Sequence, residues 1–92
     1  MIRSFKHKGL QRLFLEDDHS GVRADQAERL KRVLFVLNRA RNARDLNLPG
    51  FRLHRLSGRL KAFWSITISG NWRVIFRFEA GDAHDVDLVD YH

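Results

Sequence analysis

The chain of 92 residues contains no cysteine and only one proline and one methionine. The absence of cysteine excludes disulfide bonds and thiolate metal sites, which fits a reducing compartment. No apolar run approaches the length of a membrane span, and no signal-peptide pattern opens the chain. We therefore expect a cytoplasmic protein with no membrane contact, folded as one domain over residues 1–92 around a single modest core.

Basic residues are missing from one end of the chain. Residues 79–92 contain five acidic residues and no lysine or arginine, a balance of −5. Residues 1–78 contain all 17 basic residues against six acidic ones, a balance of +11. A basic body indicates a polyanionic partner, most often nucleic acid. The charge distribution therefore favours a nucleic acid or a ribonucleoprotein as the partner.

Two helices are predicted in the N-terminal half. Leu10, Leu13 and Phe14 recur at helical spacing, which predicts a first helix over residues 6–15. A second helix over residues 25–41 is predicted from apolar positions that share one face: Ala27, Leu30, Leu34 and Leu37. Asp25 and Glu28 have the spacing of a capping box at its start.

After Pro49 the hydrophobic period changes from that of a helix to that of a strand. Alternating patterns predict strands over 51–56, 63–68, 72–78 and 84–91, and residues 2–5 fit a short edge strand. Turn signals at 57–58, 69–71 and 80–82 separate the later strands. The predicted fold class is α+β, with two N-terminal helices packed on one face of a small antiparallel sheet.

The residues best suited to catalysis are His54, Arg73 and the terminal run Asp90-Tyr91-His92. Histidine titrates near neutrality and serves as a general acid or base. RNA carries a 2′-hydroxyl that can attack its own phosphate, so its cleavage needs proton transfer and a cation on the phosphate but no metal. His54 and His92 could move the protons, Arg73 could bind the phosphate, and Tyr91 could stack on a base or donate a proton.

Structural interpretations of the same residues stay open at this point. His54 could make one structural hydrogen bond, Arg73 and Arg77 could form a solvated sheet face, and Tyr91 could cap the core. Trp64 and Trp72 fall at core positions of their strands and are interpreted as packing residues. No histidine pair has metal-ligand spacing, and no cofactor-binding motif is present, so we expect neither a metal nor a cofactor.

Four motifs together resemble one protein family. In chain order they are Ile2-x-Ser4-Phe5-x-His7-Lys8-Gly9-Leu10, Pro49-Gly50-Phe51-Arg52-Leu53-His54, Trp64-Ser65-Ile66-x-Ile68-x-Gly70-Asn71-Trp72-Arg73 and Asp90-Tyr91-His92. This order is similar to the HigB group of the RelE/ParE toxin superfamily, also described as plasmid maintenance system killer proteins. The match spans nearly the whole chain.

The resemblance implies a fold, an activity and partners. The family fold is two helices on a small antiparallel sheet. Its members are ribosome-dependent endoribonucleases that cut mRNA in the A site of the small subunit. A HigA-like helix-turn-helix antitoxin neutralises them and represses the operon, so operator DNA is contacted only through the antitoxin. By resemblance, the active-site positions are His54, Asn71, Arg73, Asp90, Tyr91 and His92.

The chain departs from the family pattern at Arg55 and at Ser57, and the change at Ser57 is the one that matters for the chemistry. The usual segment His-Pro-Leu-Lys-Gly reads His54-Arg55-Leu56-Ser57-Gly58, so a phosphate-binding lysine is replaced by Ser57. Arg55, Arg59 and Lys61 are the candidates to supply that charge to RNA. Two alternatives remain. One is a ParE-like DNA gyrase poison, and the other is a degenerate, non-catalytic toxin that only binds antitoxin or RNA.

Overall fold

A computed structural model describes residues 1–90, and the predicted site residues Tyr91 and His92 lie outside the described residues. Helix α1 spans Lys8–Glu16 and helix α2 spans Ala27–Arg39. Four strands follow: β1 (His54–Arg55), β2 (Phe63–Ser69), β3 (Trp72–Glu79) and β4 (Asp82–Asp90). Short 3₁₀ turns occupy Ala24–Gln26, Ala43–Leu46 and Gly58–Leu60. Within residues 1–90, no helix is long and apolar enough to cross a membrane.

The sheet is an antiparallel meander in the order β1-β2-β3-β4. Two-residue loops join the last three strands, and both coincide with the predicted turns. The first loop begins at Gly70 with φ of +53°, and the second has positive φ at both Ala80 (+53°) and Gly81 (+82°). Positive φ in such loops matches the right-handed twist of the strands they connect.

The core lies between the helices and one face of the sheet. Leu10 and Leu13 of α1 and Leu30, Leu34 and Leu37 of α2 are buried against the sheet. The sheet contributes Ile66, Ile68, Val74, Phe76, Val86 and Leu88, and Trp64 and Trp72 pack at its margin as predicted. Burying each large aliphatic side chain contributes about 1.5–3 kcal/mol, so this interface supplies most of the driving force for folding. The predicted α+β class is confirmed.

The N-terminal segment extends the sheet beyond β4. Ile2 and Phe5 form parallel bridges with Ala83 and Val86. The amide of Arg3 donates to the carbonyl of Ala83 at 2.7 Å, and the amide of Val86 donates to the carbonyl of Ser4 at 3.0 Å. The segment therefore covers the outer edge of β4, but it forms two isolated bridges there and not the short edge strand predicted over residues 2–5.

Both predicted helices are longer than the observed ones. The side chain of His7 caps α1, since its Nδ1 accepts from the amide of Leu10. The predicted capping box of α2 is wrong, because Asp25 lies in a 3₁₀ turn and its carboxylate pairs with Arg23 at 2.7 Å instead. The helix ends at Arg39 because Ala40 is already extended.

The predicted strand over 51–56 is wrong in length, since β1 consists of only two residues, His54 and Arg55. Gly50 and Arg52 have φ of +85° and +51°, values that a continuous strand does not accommodate. Phe51, between them, is buried in the core. The chain therefore turns inward to anchor Phe51 before it joins the sheet.

Candidate active site on the open face of the sheet

The face of the sheet opposite the helices has an open cavity of about 340 Å³ at its β1–β2–β3 end. The cross-strand pairs His54–Ser65 and Thr67–Arg73 lie at this end. Residues directly opposite each other in an antiparallel pair project to the same face. The cavity is lined by Arg52, His54, Arg55, Leu56, Ser57, Ser65, Thr67 and Arg73. The structure thus brings two predicted catalytic residues, His54 and Arg73, and the predicted RNA-binding residue Arg55 to one cavity.

His54 has a defined ring orientation even though it is exposed. Its Nδ1 lies 2.7 Å from the backbone carbonyl oxygen of Arg52. A carbonyl oxygen can only accept, so Nδ1 donates the hydrogen bond and carries the proton. In the neutral ring, Nε2 then has the free lone pair that a general base needs. The positive φ of Arg52 belongs to the turn that presents this carbonyl.

Arg73 is held at the hairpin between β2 and β3. Its Nη1 donates to the carbonyl of Gly70 at 2.8 Å and to that of Trp72 at 3.1 Å. A guanidinium has five N–H donors, and these two bonds use one nitrogen. Arg73 can therefore keep its position and still present donors to a phosphate.

Ser65, Thr67 and Arg52 line the cavity and were not predicted as site residues. A signal for Ser65 and Thr67 exists in the sequence: they are the small polar residues that alternate with Trp64, Ile66 and Ile68 along β2. Arg52 contributes its backbone carbonyl, and its side-chain type gives no indication of that role.

The cavity is cationic. Three arginines and one histidine are among its lining residues, and within residues 1–90 the lining includes no aspartate or glutamate. The three arginines are at least partly exposed to solvent, so their field is screened by salt beyond about 10 Å at 0.1 M ionic strength. An anion of the size of a phosphodiester is the chemically matched ligand.

The next basic residue on the same face of β3 has a different environment. Arg77 donates to Asp85 and to Glu79, each at 2.9 Å. Arg77 holds the pKa of the Asp85 carboxyl below its usual value, chiefly through the hydrogen bond. Arg77 is therefore part of an ion-pair network. The described hydrogen bonds of Arg73 go to backbone carbonyls instead.

Of the predicted RNA-binding residues Arg55, Arg59, Lys61 and Asn71, Arg55 alone lines the cavity. The guanidinium of Arg55 lies over the ring of Trp64, 5.3 Å from its centroid, and its Nε donates to the carbonyl of Lys61 at 3.2 Å. Arg59 and Lys61 are exposed in the turn after β1 and do not line the cavity. Asn71 is exposed at the tip of the hairpin that anchors Arg73.

Asp90 is not brought into the cavity. It pairs with Trp72 across β3 and β4, and its neighbour Val89 pairs with Arg73. Side chains alternate along a strand, so Asp90 shares a face with Trp72 and Leu88 and lies on the face opposite Arg73. Tyr91 and His92, the other predicted tail residues, are outside the described residues.

A helical layer on one face of an antiparallel meander and a cationic cavity on the other place this protein in the class of small α+β, RelE-like toxins. The chain belongs to the HigB-like toxin family: the family model described as RelE-like toxin of type II toxin-antitoxin system HigB matches residues 3–92. The family resemblance predicted from the sequence motifs is therefore confirmed.

Two curated relatives are similar over most of their length. The chain is 42% identical over 92 residues to Endoribonuclease HigB of Proteus vulgaris, and the match covers 100% of both chains. It is 36% identical over 86 residues to Toxin HigB-1 of Vibrio cholerae serotype O1, covering 90% of each.

Proposed function

We propose that this protein is a ribosome-dependent endoribonuclease, the toxin of a type II toxin–antitoxin pair, which inhibits translation by cutting mRNA in the A site of the small subunit. The observation that carries the proposal is the His54–Arg52 hydrogen bond, which holds an imidazole in one tautomer within the same cationic cavity as Arg73. The similarity to a relative named an endoribonuclease supports an RNA substrate.

The reaction is transfer of a phosphodiester within the RNA. The 2′-oxygen attacks the adjacent phosphorus, the bond from phosphorus to the 5′-oxygen breaks, and a 2′,3′-cyclic phosphate and a 5′-hydroxyl result. His54 takes the proton of the 2′-hydroxyl on Nε2, and a second group gives a proton to the leaving 5′-oxygen. The guanidinium of Arg73 binds the non-bridging oxygens and stabilises their charge. All of these steps use side chains, with no metal or cofactor.

The tail completes the proposed proton relay. We assign donation to the leaving oxygen to His92, and stacking on a base or proton donation to Tyr91. Asp90 lies on the other face of the sheet from Arg73, so we propose that it makes no direct contact with the RNA. Arg55 lines the cavity, and we assign it, together with the exposed residues Arg59, Lys61 and Asn71, to the path of the RNA backbone.

In this proposal the ribosome supplies the in-line geometry of the RNA, which an open cavity does not impose. His54 is solvent-exposed, and free RNA is flexible, so the attacking oxygen is seldom in line with the leaving oxygen. Positioning of reactants can lower a barrier by several kcal/mol, up to roughly 7–11 in ideal cases. In this proposal the ribosome holds the message in an in-line geometry, and the +6 net charge favours docking on ribosomal RNA.

The proposed regulatory partner is a HigA-like helix-turn-helix antitoxin. Family membership supports an antitoxin, and the antitoxin would bind the operator, so this chain would meet DNA only through it. The test is to examine the neighbouring reading frames for a small helix-turn-helix protein and to co-express any such product: stable co-purification and restored growth support the pairing, whereas persistent growth arrest, or the absence of such a reading frame, contradicts it.

The activity is tested by mapping mRNA 5′ ends after brief expression of the parent, His54→Ala and His19→Ala. His19 is the matched control, since it is an exposed histidine bonded to Asp17 on the helical side of the molecule. We expect new 5′ ends with the parent and His19→Ala, and their loss with His54→Ala. With purified components, translating ribosomes should permit cleavage and naked mRNA should resist it. Unchanged cleavage by His54→Ala would overturn the proposed mechanism.

A non-catalytic toxin is the second candidate, and one observation favours it. Ser57 lines the cavity at the position where the family pattern has a lysine, so one positively charged side chain that would bind phosphate is missing. Antitoxin binding without mRNA cleavage or growth arrest would support this candidate. An SOS response with intact mRNA would instead favour a gyrase poison.

A further inference from the structure

Arg29 of α2 reaches from the helical layer to the back of the candidate site. Its Nη2 donates to the carbonyl of Gly50 at 2.7 Å and to the carbonyl of Thr67 at 2.8 Å. Its guanidinium also lies over the ring of Phe51, 5.6 Å from the centroid. The sequence alone presents Arg29 as one of several charges on the flank of a surface helix. The structure gives it two backbone carbonyl partners, at Gly50 and Thr67, and the bond to Thr67 is partly buried.

The first partner belongs to the strap, by which we mean residues 50–52. Phe51, at its centre, is 1% exposed and anchors the strap in the core. The carbonyl of Arg52, at its end, accepts the hydrogen bond from His54 Nδ1. Gly50 and Arg52 both have positive φ. Glycine adopts this conformation freely, whereas Arg52 must be held in it by neighbouring contacts. The strap thus determines where the acceptor for His54 lies.

The second partner belongs to the floor of the cavity. The amide of Thr67 donates to the carbonyl of Phe51 at 2.8 Å, so the strap and β2 are bonded to each other directly. Thr67 also pairs with Arg73 across the strands. One nitrogen of Arg29 therefore ties the start of the strap to the strand that carries the partner of Arg73.

β1 gives His54 little other support. It has two residues, His54 and Arg55, which pair with Ser65 and Trp64. A strand this short contributes few ladder bonds, and the His54 ring is exposed. The orientation of the ring consequently depends on the Arg52 carbonyl, and the carbonyl depends on the strap.

We propose that Arg29 is a positioning residue for His54: it fixes the strap, and through the strap the tautomer and orientation of the imidazole. The inference deepens the proposed ribonuclease function and rests on it for its kinetic consequence. Arginine suits this role because one terminal nitrogen carries two protons in a plane, one for each carbonyl, while the flat guanidinium packs on Phe51. Lysine would keep the charge and lose that planar geometry.

The first experiment measures the tautomer of His54 in the free protein. Imidazole nitrogen chemical shifts are recorded for the ¹⁵N-labelled parent, Arg29→Met, Arg29→Lys and the control Arg23→Met. Arg23 is a matched arginine whose ion pair with Asp25 is exposed. We expect the neutral parent and Arg23→Met to hold the Nδ1–H form. Arg29→Met should show a mixture dominated by Nε2–H, and Arg29→Lys an intermediate ratio.

The second experiment measures cleavage of mRNA on translating ribosomes. Arg29 does not line the cavity, so its loss should lower kcat and leave KM near the parental value. Misplacement by about 1 Å can cost roughly 100-fold in rate, and we expect a fall of 10- to 100-fold for Arg29→Met with partial recovery in Arg29→Lys. A rise in KM at constant kcat would overturn the assignment.

Folding is checked by circular dichroism. If Arg29→Met is unfolded, Arg29→Lys decides: a mixed tautomer with reduced kcat supports the proposal, and parental values of both overturn it. The two proposals can fail separately. An unchanged tautomer in a folded Arg29→Met variant refutes the positioning role, whereas a shifted tautomer together with normal cleavage by His54→Ala refutes the catalytic role of His54.

Discussion

Arg77 Nε lies 2.9 Å from Oδ2 of Asp85, at the point where the pairing of β3 and β4 shifts register. Asp85 has φ of +54° there, and its amide donates to the hydroxyl of Ser4 at 2.8 Å. A β-bulge leaves a residue without its normal ladder partners. Here a side chain from β3 and another from the N-terminal segment bind that residue, which fixes the register of β4 as it runs toward Asp90.

Asp85→Asn should lower the stability of the fold in a pH-dependent way. Asparagine has the same shape and tolerates positive φ, so the substitution removes mainly the charge. The pKa of the Asp85 carboxyl is lowered from 3.8, chiefly by the hydrogen bond from Arg77. A carboxyl with a lowered folded-state pKa stabilises the fold fully above its unfolded pKa, and the effect disappears as the pH falls through the folded value. In urea, the free energy of unfolding should therefore be higher for the parent than for Asp85→Asn at pH 7. This difference should shrink as the pH falls below about 3.8 and disappear below the folded-state pKa.

The matched control for this measurement is Glu16→Gln, which removes one negative charge from an exposed position at the end of α1. A stability gap of Asp85→Asn that is as large in strong acid as at neutral pH would show that the ion pair is not its source.

Gly9→Ala should destabilise the protein, against the usual effect of this substitution in a helix. Alanine is favoured over glycine inside a helix by about 1 kcal/mol. A Cβ at Gly9, however, would overlap the backbone carbonyl of Gly21 and would also meet the ring of His7. Backbone cannot move aside cheaply, and overpacking typically costs about 1–3 kcal/mol. We expect a lower urea midpoint for Gly9→Ala than for the parent, while Gln11→Ala, on the exposed face of α1, should stay close to the parent. A raised midpoint would show that the two glycines are not in contact.

Much of the fold was predictable from sequence because it follows from hydrophobic period and turn chemistry. Leu30, Leu34 and Leu37 mark one helical face, and Gly70-Asn71 and Ala80-Gly81 mark hairpins, so α2 and the β2–β3–β4 meander were predicted. The short β1 was not, because alternation across residues 51–56 is also produced by a chain that buries Phe51 in a turn.

The candidate site was predictable only in part, for a similar reason. His54 and Arg73 have side chains suited to the chemistry, and the resemblance named their positions, so sequence was enough to select them. The contacts that orient them come from backbone carbonyls of Arg52 and Gly70, and carbonyl directions depend on φ values that no side chain reveals. Asp90 was selected as part of a motif, and only the register with Trp72 shows that it faces away from the cavity.

Arg73→Lys should lower cleavage strongly at nearly unchanged stability. The guanidinium is held by two carbonyls, at Gly70 and Trp72, and still has donors for a phosphate. Lysine keeps the charge but cannot make both backbone bonds and a bidentate phosphate contact in one geometry. We expect kcat/KM on translating ribosomes to fall by about 10- to 100-fold, a loss typical of a displaced charge-stabilising donor. Arg39→Lys on α2 serves as the control, and equal losses in both variants would show that the loss is not specific to the position of Arg73.

Ser57→Lys should increase cleavage, because it restores a cation to a cavity that already holds the other parts of the proposed site. Ser57 lines the cavity together with His54 and Arg73. A lysine there would add one phosphate contact, so the logarithm of RNA affinity should depend more steeply on the logarithm of salt concentration, by about 0.7 for a single strand. Gln11→Lys adds the same charge on α1, on the opposite face of the molecule, and should change neither cleavage nor the salt slope. If both lysine variants raise cleavage equally, the gain comes from net charge and the cavity cation is not limiting. If Ser57→Lys steepens the salt dependence without raising kcat, the added lysine binds RNA but does not reach the reacting phosphate.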